Sequence, residues 1–259
     1  MKLFKFISLL SYLFVFFCFY TCAQENSSPT EARPVFKVHK ANSTIVADGK
    51  MDEADWQNSE VRTLDHFYQS ETQNEYQKTS YRMLWDNENL YLFFECEDKH
   101  IVATETQKDG APYLDDCAEL FLIPAPKPLN THIALEVSVT NVKNDVLFIN
   151  NFENDQNLAA KWYNPEYTVG VHIDGTLNDN SDIDKGWAME FKIPFNVLWG
   201  LDRVYPIEKG TQYMFLAIRQ DRSSIEIAER STITIFPVDD FDKKDLHQPT
   251  MFGLMELVD

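Results

Sequence analysis

Apolar and polar residues alternate along this chain in short runs rather than in helical stripes. The strictest run spans Trp187 to Ile193, where Trp187, Met189, Phe191 and Ile193 fall on one face against Ala188, Glu190 and Lys192, and Pro194 closes it. A period of two is the pattern of a half-buried strand. Comparable runs are VFKVHK from Val35, STIVADG from Ser43, YQKTSYRMLW from Tyr76, LYLFFEC from Leu90, CAELFLIP from Cys117, HIALEVSVT from His132, DVLFI from Asp145, EYTVGVHI from Glu166, QYMFLAIRQD from Gln212 and FGLMEL from Phe252. The Tyr76 and Leu90 runs flank Asp86-Asn87-Glu88-Asn89, a hairpin signal. Helical patterning is confined to a turn ending at Trp56, whose indole is expected to dock on the core, and a turn over Phe195 to Leu198. Short strands with almost no amphipathic helix predict an all-β fold, an antiparallel β-sandwich with very little helix.

The N-terminus changes the count of what folds. Lys2 and Lys5 precede an apolar run from Phe6 to about Tyr20, the order of a secretory signal. Residues 1–23 are therefore expected to be a signal peptide with cleavage after Ala23, lipoprotein anchoring at Cys22 being the alternative, and the protein to be periplasmic or extracellular. An uncleaved membrane anchor is the third reading, weakened by an apolar run shorter than the roughly 20 residues of a bilayer span, and no membrane insertion is expected once the signal is removed. Residues 24–33 are polar and contain Pro29, a disordered tether. One domain is expected over 34–259.

The 259 residues carry 23 Lys and Arg against 41 Asp and Glu, a formal net charge of −18. A surface of that sign repels phosphate backbones, which excludes nucleic acid as a partner and disfavours acidic glycans. Cys96 and Cys117 are the cysteines of the folded part, and could either pair or serve as small hydrophobes. Between Gly175 and Gly186, Asn178, Asp179, Asp182 and Asp184 crowd into one turn, which is either solvated or a site for calcium. The spacing is not that of an EF-hand, since a count from Asn180 puts Gly186 at position seven and Glu190 at eleven.

Four stretches in order, DGKMDEADW, MLWDNENLYLFFECED, DDCAELFLIP and GTLNDNSDIDKGWAMEFKIP, resemble the carbohydrate-binding module family 9-like proteins. The resemblance implies a secreted bacterial β-sandwich, often with calcium, in which two aromatic rings clamp a terminal sugar while carboxylate, amide and guanidinium groups bind its hydroxyls. It places Tyr113, six residues before Glu119, as the first stacking ring and Glu119 as the hydroxyl acceptor, with Asp116 as a second acceptor or a turn-stabilising group. Phe252, before Gly253, stands where the second ring is usually tryptophan. The arginine usual on the following strand is missing, Glu136 standing near its place, so Arg82 or Arg219 would have to substitute. His247 lies close to the second ring. Trp85 and Trp162 are further aromatic candidates.

The expected function is thus a non-catalytic exported protein that binds oligo- or polysaccharide. Two alternatives stay open. A glycoside hydrolase needs paired carboxylates, which are plentiful here. A haem-binding electron-transfer domain needs axial ligands, for which His39, His66, His100, His132, His172 and His247 are available, although no Cys-x-x-Cys-His occurs.

Overall fold

The computed structural model describes residues 33–68, 75–127, 129, 131–149, 158–198, 207–227, 229–238 and 246–259. The expected signal and all but the last residue of the tether lie outside them. Fourteen strands are present among the described residues: β1 Val35–Lys40, β2 Val61–Leu64, β3 His66–Tyr68, β4 Thr79–Trp85, β5 Asn89–Glu97, β6 Cys117–Ile123, β7 Thr131–Ser138, β8 Lys143–Ile149, β9 Leu158–Ala160, β10 Thr168–Asp174, β11 Gly186–Pro194, β12 Gln212–Asp221, β13 Ser231–Thr234 and β14 Gly253–Leu257. The only helical pieces among them are 3-10 turns, including Ala54–Asn58 and Phe195–Val197 at the two expected places.

The strands form a β-sandwich. The first sheet runs β9-β8-β7-β6-β12-β14-β1, with β13 beside the far end of β12 and β3 beyond it; the second runs β10-β11-β5-β4, with β2 on β4. β1 belongs to both, pairing through Val35–Val38 with β14 and through His39 and Lys40 with β4. Both pairings are parallel, whereas every other ladder among the described residues is antiparallel. STIVADG is not a strand. Its backbone is held instead by side chains, Asn42 N–H and Ser43 N–H donating to the Asp55 carboxylate and Val46 N–H to Glu53.

Between the sheets, aromatic rings interlock edge to face: Phe36 lies 5.7 Å from Tyr81 and 5.9 Å from Phe215, and Tyr81 lies 4.8 Å from Phe94. This geometry suits the ring quadrupoles and adds to area burial. Trp187, Met189, Phe191 and Ile193 of β11 all join this core. Cys96 and Cys117 are buried free thiols, not a disulfide. The hairpin closes as its residues direct, the Asp86 carboxylate accepting Glu88 N–H and Asn89 N–H at 2.7 Å each.

At one end of the interior, Arg219 of β12 bridges the sheets. Its Nη1 donates to Thr79 Oγ1 and to the Glu97 carbonyl, and its Nη2 to Asp98 Oδ2 at 3.0 Å. The outer face of the second sheet is covered by the segment that follows β1. Asp48-Gly49 lies on β10, where Gly49 has φ +84° and a Cβ would come within 2.7 Å of His172 N, so only glycine fits. Trp56 then packs on Phe93, centroids 5.5 Å apart, and its indole N–H reaches Glu190 Oε1. Glu190 Oε2 accepts Asp48 N–H and Gly49 N–H. The polar face of β11, exposed by its pattern, is thereby buried at Glu190, which is 0 % exposed.

Candidate functional site

The outer face of the first sheet is open where that of the second is covered. On β6, Glu119 and Phe121 share this face, while Ala118, Leu120 and Leu122 alternate into the sandwich interior. Register then builds a polar row: Glu119 of β6 opposes Glu136 of β7, and Glu136 opposes Asn144 of β8. Gln220 of β12 has the same facing and lies opposite Cys117, two residues from Glu119. These four side chains lie on a cavity of about 440 Å³ whose other walls include Phe121, Phe148 and His247, with Tyr113, Arg230 and Lys161 around it.

Hydrogen bonds orient the floor. Thr232 Oγ1 at 2.6 Å and Arg230 Nε at 2.9 Å both donate to Gln220 Oε1. This directs the Gln220 amide toward Glu119, whose Oε1 accepts Nε2 at 2.7 Å. Asn144 Nδ2 donates to Glu136 Oε2 at 2.6 Å. Asn144 Oδ1 is buried and, among the described residues, accepts no hydrogen bond. Burial raises the pKa of both glutamates; for Glu136 the nearby Glu119 charge pushes the same way, while for Glu119 the Gln220 bond and the Arg230 charge oppose the rise.

Of the residues singled out in the sequence, Tyr113, Glu119 and His247 meet at this cavity. The Arg230 guanidinium lies 5.8 Å from the Tyr113 ring centroid. His247 stacks on Phe121 at 4.4 Å and shares a hydrogen bond of 2.8 Å with His132, which itself stacks on Phe148. Desolvation holds both imidazoles neutral, His132 down at about 3. Their nitrogens are too close for a metal between them, which would need about 2 Å on each side. Phe252 is buried against Phe121 and the edge of His132, behind the aromatic wall rather than on it.

The remaining candidates lie elsewhere. Arg219 has the opposite facing on β12 and is sealed in the interior at 0 % exposure. Arg82 is on β4 of the other sheet, donating to the Trp56 carbonyl and Ser59 Oγ. Asp116 is also fully buried, accepting Val102 N–H and Arg222 N–H, and so acts as the turn-stabilising carboxylate. Trp85 is buried, its indole donating to the Val258 carbonyl. Trp162 is 72 % exposed and follows Lys161 of the cavity. Gln220, Arg230 and Asn144 went unnoticed in the sequence. The first could have been found from its shared facing with Ile218 opposite Glu119; Arg230 lies in irregular chain and gave no signal.

The acidic turn does not gather its oxygens. Asp184 accepts Ile101 N–H and Thr176 N–H, Asn178 pairs with both backbone groups of Ala103, Asp179 caps Ser181 N–H and Asp182 accepts Thr176 Oγ1. The four residues tie the loop to the chain around Ile101 and to itself. Three carboxylates do converge in the interior, where Asp98, Asp116 and Asp221 bring oxygens within 4.8 Å of one another. Arg219 pairs with Asp98 at 3.0 Å and with Asp221 at 3.6 Å. One guanidinium among three buried carboxylates leaves an acidic excess. That hard-oxygen donor set suits calcium better than the turn does.

The family model described as carbohydrate family 9 binding domain-like matches residues 46–259. No curated protein matches the sequence. Among solved structures, a carbohydrate binding module family 9 from Caldicellulosiruptor kristjanssonii in complex with cellotriose is 17% identical with a TM-score of 0.60, over 87% of this chain and 94% of that one. The same module with glucose gives 0.58 at 17% identity, over 85% and 95%. A putative carbohydrate-binding protein from Bacteroides uniformis is 14% identical with a TM-score of 0.65, over 87% of this chain and 100% of that one. At such identities the likeness establishes the sandwich fold.

Proposed function

The chain belongs to the carbohydrate family 9 binding domain-like proteins, and from that premise we propose that it binds oligo- or polysaccharide, without catalysis, in the cavity over Glu119 and Glu136. One observation carries this: a phenol ring, two carboxylates, two amides and a guanidinium converge on one cavity from five separate stretches of chain. A pyranose presents apolar C–H faces to rings and hydroxyls to charged partners, and both kinds of group are at hand. The cellotriose and glucose bound by the C. kristjanssonii module support the same ligand class. Export by the N-terminal segment, to the periplasm or beyond, completes the proposal, and no helix among the described residues is long and apolar enough to cross a membrane.

A structural calcium is the second part. The acidic excess at Asp98, Asp116 and Asp221 would be offset by a divalent ion, with Arg219 supplying the rest of the positive charge. Removing a cation that binds only the folded state lowers apparent stability. Addition of EDTA should lower the melting temperature and added calcium restore it; an unchanged melting temperature in both conditions rejects the ion.

Binding of the purified protein to a broad glycan array, with calcium and with EDTA, tests the proposal as a whole. Retention of a defined saccharide, lost in Tyr113→Ala and Glu119→Ala proteins that still fold, is expected. Silence across the array counts against it. The opposition of Glu119 and Glu136 also favours one second reading, a glycoside hydrolase, because such an enzyme needs two carboxyls about 5 to 9.5 Å apart. Release of reducing ends from a polysaccharide would make it the better one.

A further inference from the structure

The cavity floor is built of hydrogen-bond acceptors. Glu119 and Glu136 oppose each other on neighbouring strands, and Asn144 adds Oδ1, a buried oxygen with no donor among the described residues. The orientation of that amide follows from its partner, since Nδ2 donates to Glu136 and Oδ1 therefore lies on the other side. The nearby cations act on the pair only at a distance, Arg230 on Glu119 and Lys161 on Glu136, and spend hydrogen bonds elsewhere: Arg230 gives its Nε to Gln220 and lies over Tyr113, and Lys161 Nζ donates to the Asp109 carbonyl at 3.2 Å. Among the described residues, neither glutamate forms an ion pair. Two adjacent buried carboxylates and an unused amide oxygen call for a ligand group that is positive and donates in several directions.

A protonated primary amine fits that description, with one positive charge, three donors and no acceptor. A neutral hexose offers hydroxyl donors but brings no positive charge to the pair. A uronic acid or sulfated sugar would add to it. The formal net charge of −18 draws the same class toward the surface. Resting on the saccharide function above, we propose that the sugar this cavity selects carries a free amine, a 2-amino-2-deoxy residue as in chitosan, whose ammonium sits over Glu119, Glu136 and Asn144.

Three probes of equal length separate the outcomes: chitosan oligosaccharide, its N-acetylated counterpart and a cello-oligosaccharide, titrated calorimetrically at a pH where the amine is charged. The chitosan oligomer should bind about tenfold tighter or more than either other probe, because acetylation removes the charge and two of the donors. Glu136→Gln keeps the side chain's size, and with an unchanged melting curve it should abolish most of that preference. Equal or tighter binding of the cello-oligosaccharide overturns the amine specificity and leaves the saccharide function intact. Chitosan binding that survives Glu136→Gln in full marks attraction to the acidic surface and overturns it too. Failure of all three probes, with a silent glycan array, removes the saccharide function and this inference with it.

Discussion

Two clusters of buried carboxylate lie on the outer faces of this sandwich, and the chain treats them oppositely. Glu190, on β11, is covered: the Trp56 indole and the N–H groups of Asp48 and Gly49 all donate to it, and the segment carrying them seals it from solvent. Glu119 and Glu136, on β6 and β7, receive one amide bond each and border a cavity. The chemistry is the same, a carboxylate at a position that alternation assigns to solvent. A carboxylate whose donors all come from the chain holds the fold. One whose donors are incomplete is available to a ligand.

The comparison can be broken at several points. The largest effect is expected where charge is most completely buried. Arg219→Leu leaves Asp98, Asp116 and Asp221 without their guanidinium and should cost about 3 to 5 kcal/mol in chemical denaturation. A loss below about 1 kcal/mol would mean that the carboxylates are already protonated or neutralised by another ion. Glu190→Ala should follow, at about 3 kcal/mol, because three donors lose their acceptor at once and the Trp56 turn loses its tie to β11. Intrinsic tryptophan fluorescence should shift red as the indole becomes wetter; an unmoved spectrum would show that Trp56 is held by packing alone.

A third test uses pH. Burial pushes the Glu190 carboxyl up to about 7, the N–H donors only partly opposing it. The native state therefore holds this proton more tightly than the unfolded chain, where glutamate titrates near its ordinary value of about 4.3. Stability from this group is thus full below that value and is lost as pH rises through about 7. The stability difference between the protein and Glu190→Gln should change across that window, and a difference that is flat with pH would contradict the assignment. The smallest effect is reserved for Trp162. At 72 % exposure, its replacement by alanine should leave melting unchanged and weaken saccharide binding severalfold if the ring extends the cavity. Unchanged affinity would limit the site to the rings around Tyr113 and Phe121.

Much of this was legible in the chain. Alternation located β11 to the residue, because its interior face is uniformly apolar, and β12 likewise, because Tyr213, Phe215 and Ala217 carry its interior face up to Arg219. The site was legible only in part. Tyr113 and Glu119 reach the cavity, but Arg219 was a candidate only because its side chain is charged. Its facing, shared with Phe215 and Ala217, already pointed inward. Glu190 was unreadable for a different reason: a polar residue at an outward position is exposed unless something far away in sequence covers it, and the covering segment lies about 140 residues upstream. In the acidic turn, a density of oxygens did not say where they point. Those of Asp184 and Asn178 face backbone groups near Ile101 and Ala103.

The most direct test of the difference between the two faces is a paired measurement of melting temperature and saccharide binding on Glu119→Gln and Glu190→Gln. Glu119→Gln should keep the melting temperature and lose binding, whereas Glu190→Gln should lower the melting temperature and, while still folded, keep binding. The reverse pattern, or loss of both properties together in each protein, would contradict a division between a carboxylate that holds the fold and a pair that meets the ligand.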